Sequence, residues 1–187
     1  SISGLGIISR CRQTLLQGGE EKPITWSDQD RLSLNGQRLM LVSGSSYGVP
    51  DSTYKTEIDS YIKITARGGS AGSPDYFEAE AKDGSKTIYG GSSDSKLFHF
   101  TKLVHWAQSR FEDNMGNRID YIFEGDRLTG HRIRFINYAY STPKISTGHN
   151  ASIEFNYSDR ADVLDSYSSG GVYLKSTKRL TSLVAYN

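Results

Sequence analysis

Polar and apolar residues alternate with period two over most of the chain, broken by short glycine-bearing segments. Successive side chains of a strand point to opposite faces, so this pattern predicts half-buried strands joined by turns. In Arg31 to Ser43, RLSLNGQRLMLVS, Leu32 and Leu34 precede Asn35-Gly36, and Leu39 and Leu41 follow it. Asn-Gly between two alternating runs predicts a two-residue hairpin tip, because both turn positions need positive φ. Tyr54 to Ala66 sets Ile58, Ile62 and Ile64 among polar residues and predicts one or two further strands. The composition of Arg67 to Asp75, RGGSAGSPD, predicts a flexible loop. Tyr76 to Lys82 alternates, stops at Asp83-Gly84 and runs back through Ser85 to Tyr89, which predicts a second two-residue tip. Ile119 to Glu124, His131 to Tyr140, Ala151 to Tyr157 and Leu180 to Tyr186 read as further strands with glycine, proline or aspartate between them.

One stretch fits two periods. In Leu97 to Phe111, LFHFTKLVHWAQSRF, positions 97, 100, 103, 104, 107 and 111 have helical spacing, whereas Phe98-Phe100 and Val104-Trp106 alternate. Strand is preferred, since Thr101, Val104 and the aromatics favour it and Asp113 to Asn117 has the composition of a hairpin tip. The expected fold class is therefore mainly β: antiparallel, hairpin-rich sheets, with helix below about a tenth of residues.

Composition narrows the function classes. The 187 residues suffice for one good-sized domain, and no internal change of composition divides them, so residues 1-187 are read as a single β-rich segment. Twelve tyrosines and nineteen glycines against two methionines suit strands and turns better than helices. A formal net charge of +1 gives no field to draw in nucleic acid or an anionic membrane. No run of 18 apolar residues occurs, and Cys11 is the single cysteine, so an internal disulfide is excluded. The start, Ser1 to Gly6, lacks an initiating methionine and the features of a signal peptide, and is read as a cut inside a longer chain.

Several phrases then become recognisable. SGLGIISRCRQTLLQGG (Ser3 to Gly19), DRLSLNGQRLMLVSG (Asp30 to Gly44), TYKTEIDSY (Thr53 to Tyr61), DYFEAEAKDGSKTIYG (Asp75 to Gly90), WAQSRFEDNMGNRIDYIF (Trp106 to Phe123), IEFNYSDRADVLDSYSSGG (Ile153 to Gly171) and the closing RLTSLVAY occur in this order. Together they resemble the SpvB/TcB family of bacterial toxins, which includes the B component of insecticidal toxin complexes and the N-terminal region of a Salmonella virulence-plasmid protein. The chain departs from the family's pattern at Asp159-Arg160-Ala161-Asp162, where Ala161 replaces a proline, in the loop Gly68 to Pro74 and in the segment Ser141 to Asn150. The resemblance implies a secreted, non-catalytic segment of a β-sheet shell of Rhs/YD hairpins that encloses a toxic cargo. Implied partners are other segments of the same shell, a C-type component carrying the cargo and a pore-forming A-type component. No nucleic acid, direct membrane insertion or cofactor is implied. The alternative is a free-standing β-domain that binds a glycan or a protein partner.

No residue set is assigned as catalytic or metal-binding, and the binding residues are left open. Glu78-x-Glu80 is the sharpest candidate, because some relatives end in an ADP-ribosyltransferase domain with a Glu-x-Glu pair, and Ser52-Thr53-Tyr54 precedes it here. Alternation instead puts Glu78, Glu80 and Lys82 on a solvated face opposite Phe77, Ala79 and Ala81. Asp113, Asn114, Gly116 and Asn117 lack the order of a calcium loop and read as a side-chain-capped turn. Asp159, Asp162 and Asp165 around Arg160 read as a salt-bridged loop. His99, His105, His131 and His149 have no metal-ligand spacing, and His99 and His105 read as packed strand residues. Cys11 between Arg10 and Arg12 has no Cys-His-Asn arrangement and reads as a small buried hydrophobe. The basic residues from Lys175 to Arg179 and the tyrosines near them could hold sugar or nucleic acid, but alternate tyrosines usually fill the space between sheets.

Overall fold

The computed structural model describes residues 5–15, 19–58, 60–140, 149–168 and 170–187, with the side chain of His149 excepted. Every named element in them is a strand, as the alternation requires: β1 Ile7–Cys11, β2 Arg31–Leu34, β3 Gln37–Ser43, β4 Thr53–Thr56, β5 Lys63–Arg67, β6 Tyr76–Glu80, β7 Lys86–Tyr89, β8 Lys96–His99, β9 Lys102–Glu112, β10 Arg118–Glu124, β11 Arg132–Tyr140, β12 His149–Tyr167 and β13 Tyr173–Tyr186. All pairings are antiparallel. The ambiguous stretch is strand: β8 and the long β9 pair with each other.

The path β1-β2-β3-β4-β5-β6-β7-β9 closes on itself through a β9–β1 pairing and makes an eight-stranded barrel. β9 is the junction. Its first half pairs with β1 and β8, its second half with β7 and β10. From β10 a second sheet continues through β11, β12 and β13.

The barrel is filled from alternate positions: Ile8, Leu32, Leu34, Leu39, Tyr54, Ile64, Ala66, Phe77, Ala79 and Trp106 are all buried. Tyr47, Tyr54, Phe77 and Trp106 form a chain of rings at centroid distances of 5.5, 6.3 and 5.1 Å. Each polar tip has a partner, as buried Tyr and Trp require. Trp106 Nε1 donates to Pro74 O (3.1 Å), Tyr47 Oη donates to Leu39 O (3.1 Å), and the Tyr54 hydroxyl accepts from Gly48 N (2.6 Å). A second cluster, Ala107, Phe123, Ile133 and Phe155 with Leu5, Tyr121, Ile136, Ile153 and Tyr157, lies under the second sheet. The ribbon β12–β13 is long, and its tip folds back so that Val172 is buried with Leu97 and Val104, against Trp26.

The turns partly correct the sequence reading. Asn35-Gly36 is a two-residue tip, with φ of 51° and 82° between paired Leu34 and Gln37. Asp83-Gly84 is not. Ala81 N donates to Ser85 O and Gly84 N to Ala81 O, which leaves a three-residue loop with the positive φ at Gly84 alone. The loop after β5 is pinned rather than free: Ser70 and Ser73 bridge each other, Asp75 N bonds Arg67 O, and Pro74 is fully buried.

Candidate functional site

The most constrained chemistry lies inside one end of the barrel. Ile8 and Arg10 share the inward face of β1, so a guanidinium enters the core and must find partners there. Arg10 Nη1 pairs with Asp30 Oδ2 (3.1 Å), with side chains 4% and 1% exposed. Its Nε donates to Leu103 O (2.8 Å) and its Nη2 to Gly72 O, and the guanidinium lies 5.9 Å from the Trp26 ring and 5.8 Å from the Trp106 ring. Asp30 also accepts from Thr25 N (2.6 Å) and Trp26 N (2.8 Å). Burial pushes the Arg10 guanidinium below its usual range, and Asp30 opposes that shift. With all three of its nitrogens bonded to protein, Arg10 fixes the barrel end.

The structure places most of the residues singled out in the sequence; the side chain of His149 lies outside the described residues. Glu78 and Glu80 stand on the outer face of β6, with Phe77 and Ala79 inward. Glu80 is exposed, while Glu78 Oε1 is 3.4 Å from Arg67 Nη2, and Arg67 also holds Asp51 at 2.7 Å. Glu78 is not on an open wall, however. It lines a 360 Å³ groove with Tyr76, Ile88, Ser109, Arg110 and Asp120, where the barrel meets the second sheet. The row Glu78–Ile88–Arg110–Asp120 runs across four strands in register. In that row Asp120 is held by Arg110 Nε (2.8 Å), Arg118 Nη2 (2.5 Å) and the Tyr140 hydroxyl. Burial pushes the Asp120 carboxyl up, and these donors together hold it below its usual value. Ser52 bonds Val49 O and the Tyr54 hydroxyl, so it serves the core rather than the groove.

Asp113 caps its own turn, accepting from Met115 N (2.9 Å) and Asn117 N (2.8 Å). Asp159 pairs with Lys178 (2.7 Å), Asp162 with Arg160 (2.9 Å), and Asp165 accepts from the Tyr173 hydroxyl (2.7 Å). The three carboxylates go to three different partners along β12 and its bulge. Lys175 leans over the Tyr173 ring at 5.8 Å. The Cys11 thiol is pushed up by burial, against the lowering effect of Arg38 and Arg31, which is the opposite of nucleophile activation.

The sequence reading missed one grouping. His105 on β9 and His131 before β11 are 26 residues apart, yet His105 Nε2 is 3.1 Å from His131 Nδ1, and His131 Nε2 is 2.7 Å from Asp94 O. A carbonyl only accepts, so His131 carries its proton on Nε2 and His105 donates from its own Nε2. The His131 ring stacks on Phe123 at 4.9 Å. No spacing rule signals such a pair, because only the docking of the second sheet on β9 creates it.

No family model matches the chain, and no curated protein does. Solved structures do. The N-terminal domain of effector protein SpvB from Salmonella typhimurium strain LT2 superposes with a TM-score of 0.73 at 13% identity, over 97% of this chain and 75% of that one. A TcdB2-TccC3-Cdc42 structure gives 0.73 at 12% identity over 98% of this chain. The Photorhabdus luminescens Tc holotoxin pore gives 0.73 at 12% over 97%. The chain spans only 11% of the length of each of those toxin chains. The fold to which the sequence phrases pointed is thus the fold this chain has, that of the SpvB N-terminal domain and of a segment of the Tc toxin chains.

Proposed function

We propose that the chain is a non-catalytic structural domain of a bacterial toxin-complex B-type protein, which helps build the β-shell around a toxic cargo. The observation that carries this reading is the match over nearly the whole chain to a stretch making up 11% of far longer toxin chains. The second sheet supports it. Beyond Thr177, nothing among the described residues pairs with the outer edge of β13. Leu180, Leu183 and Ala185 stand opposite Tyr157, Phe155 and Ile153 and carry the apolar face out to that edge, with Leu183 57% exposed. Such an edge is a template for another strand, and a neighbouring ribbon of the same shell would supply it. On this reading the further partners are a C-type cargo component and a pore-forming A-type component, and the domain is secreted as part of the toxin.

Sedimentation of the isolated chain tests the proposal. It should self-associate with rising concentration, and Leu183→Lys should abolish the association without unfolding the barrel. A monomer at high concentration would favour the second reading, a free-standing domain binding a glycan or protein, for which the groove at Tyr76, Glu78 and Arg110 offers a concavity. Incubation with labelled NAD and actin checks the non-catalytic part. Glu78-dependent labelling would overturn it.

A further inference from the structure

Among the described residues seven of the twelve arginines pair with a carboxylate: Arg10, Arg67, Arg110, Arg118, Arg132, Arg134 and Arg160. Among the described residues Arg12, Arg31, Arg38, Arg127 and Arg179 have no such partner. Three of these five surround one spot on the outer wall of the barrel. Arg12 and Arg38 line a pocket of 400 Å³ with Cys11, Ser33 and Gly36, and Arg31 is the register partner of Cys11. The floor is made of small side chains: Ser9 Oγ and Ser33 Oγ are 3.2 Å apart, and Cys11 follows Ser9 on the same face of β1. Arg38 commits one nitrogen to Thr14 Oγ1 (2.8 Å), and Arg31 lies over the Tyr47 ring at 4.5 Å with its Nε buried and without a partner. Gly36 at the rim leaves open space.

The lining therefore presents donors and no carboxylate. Like charges gathered around one spot repel one another, and among the described residues seven of the nine arginines elsewhere in the molecule are relieved by an acid. Here no described carboxylate does so. A guanidinium fork matches two oxygens of a tetrahedral anion, and a floor of small residues leaves room for one. We propose that this pocket binds an oxyanion, the phosphate or sulfate group of a ligand, between the forks of Arg12 and Arg38 with the Ser33 hydroxyl beneath it.

Cys11, the single cysteine, reports on the site. Its alkylation by iodoacetamide in the full chain is followed while inorganic phosphate or sulfate replaces chloride at constant ionic strength. The anion should slow the reaction saturably, in the millimolar range of a small anion site. Arg12→Gln should raise the half-saturating concentration about tenfold or more, with Arg12→Lys intermediate because it keeps the charge and loses the fork. Thermal melting of the Arg12 variants, which should match the parent since Arg12 makes no ion pair among the described residues, separates site loss from unfolding. O-phosphoserine and a heparin-derived disaccharide then distinguish a phosphomonoester from a sulfated glycan. A rate independent of both inorganic anions, or protection unchanged in Arg12→Gln and Arg38→Gln alike, overturns the proposal.

Discussion

Arg10 and Asp30 each occur inside a phrase by which the chain resembles the SpvB/TcB family, SRC and DRL, and in the fold they meet in the barrel core. A buried pair of this kind is costly to break from one side, because the remaining charge stays desolvated, and the expected loss is about 3–5 kcal/mol. Asp30→Asn should therefore lower the urea stability by that order, while Arg10→Met combined with Asp30→Leu should cost far less than the two single changes together. Additive losses would mean that the two residues act independently. The inward direction of Arg10 was legible, since it shares parity with Ile8, and an inward charge demands a partner. The partner itself was not, because Asp30 lies 20 residues away in a loop that no periodicity positions. Arg10, next to Cys11 in the sequence, points away from it into the core.

Strands and tips were readable where one face is buried, and unreadable where neither is. The alternation of β2, β3 and β6 follows the burial of Leu32, Leu34, Leu39, Phe77 and Ala79. β12 and β13 pair from Ser152–Tyr186 to Tyr167–Tyr173, with register shifts at Asn156/Tyr157 and Asp159/Leu164, yet the sequence pattern predicts strand only over 151–157 and 180–186. Residues 161–167 are exposed on both faces, so nothing there selects an apolar period. A turn is a sharper signal when both of its residues need positive φ. Gly36 has φ 82° and a Cβ added there would meet nothing within 4 Å, so Gly36→Ala carries a conformational cost and no steric one. It should lower stability by about 1 kcal/mol in urea unfolding with an unchanged slope. No loss would show that the tip adopts another turn in solution. Asp83-Gly84 looked equivalent in sequence and differs because Asp83 spends its carboxylate on Ser85 N (2.9 Å) and Oγ (2.7 Å), which closes a longer loop.

At the scale of the molecule, barrel and second sheet meet where Asp94, His105 and His131 join the loop after β7, strand β9 and the start of β11. The Asp94 carboxylate accepts from Phe123 N (2.7 Å), so one residue ties β10 through its side chain and His131 through its carbonyl. Burial and the neighbouring His131 lower His105 to about 3. Burial likewise lowers His131, against the raising effect of Asp94, with Arg132 adding to the fall. Both imidazoles are thus held neutral in the folded chain, whereas in the unfolded chain they take up protons near pH 6.5. The sign follows: the unfolded state binds more protons as the pH falls, so this stability is complete above about pH 6.5 and is lost on acidification toward pH 3. His105 alone gives a slope of up to about 1.4 kcal/mol per pH unit. Between pH 6.5 and 5 few carboxylates titrate, so the slope in that window belongs mainly to the histidines. Urea midpoints measured there should fall for the parent and stay nearly level in a His105→Gln/His131→Gln double variant, which has no imidazole at the seam. Equal slopes in the two proteins would mean that the seam tolerates charge, and that the second sheet is held to the barrel by Ala107, Leu5 and Phe155 without help from the neutral pair.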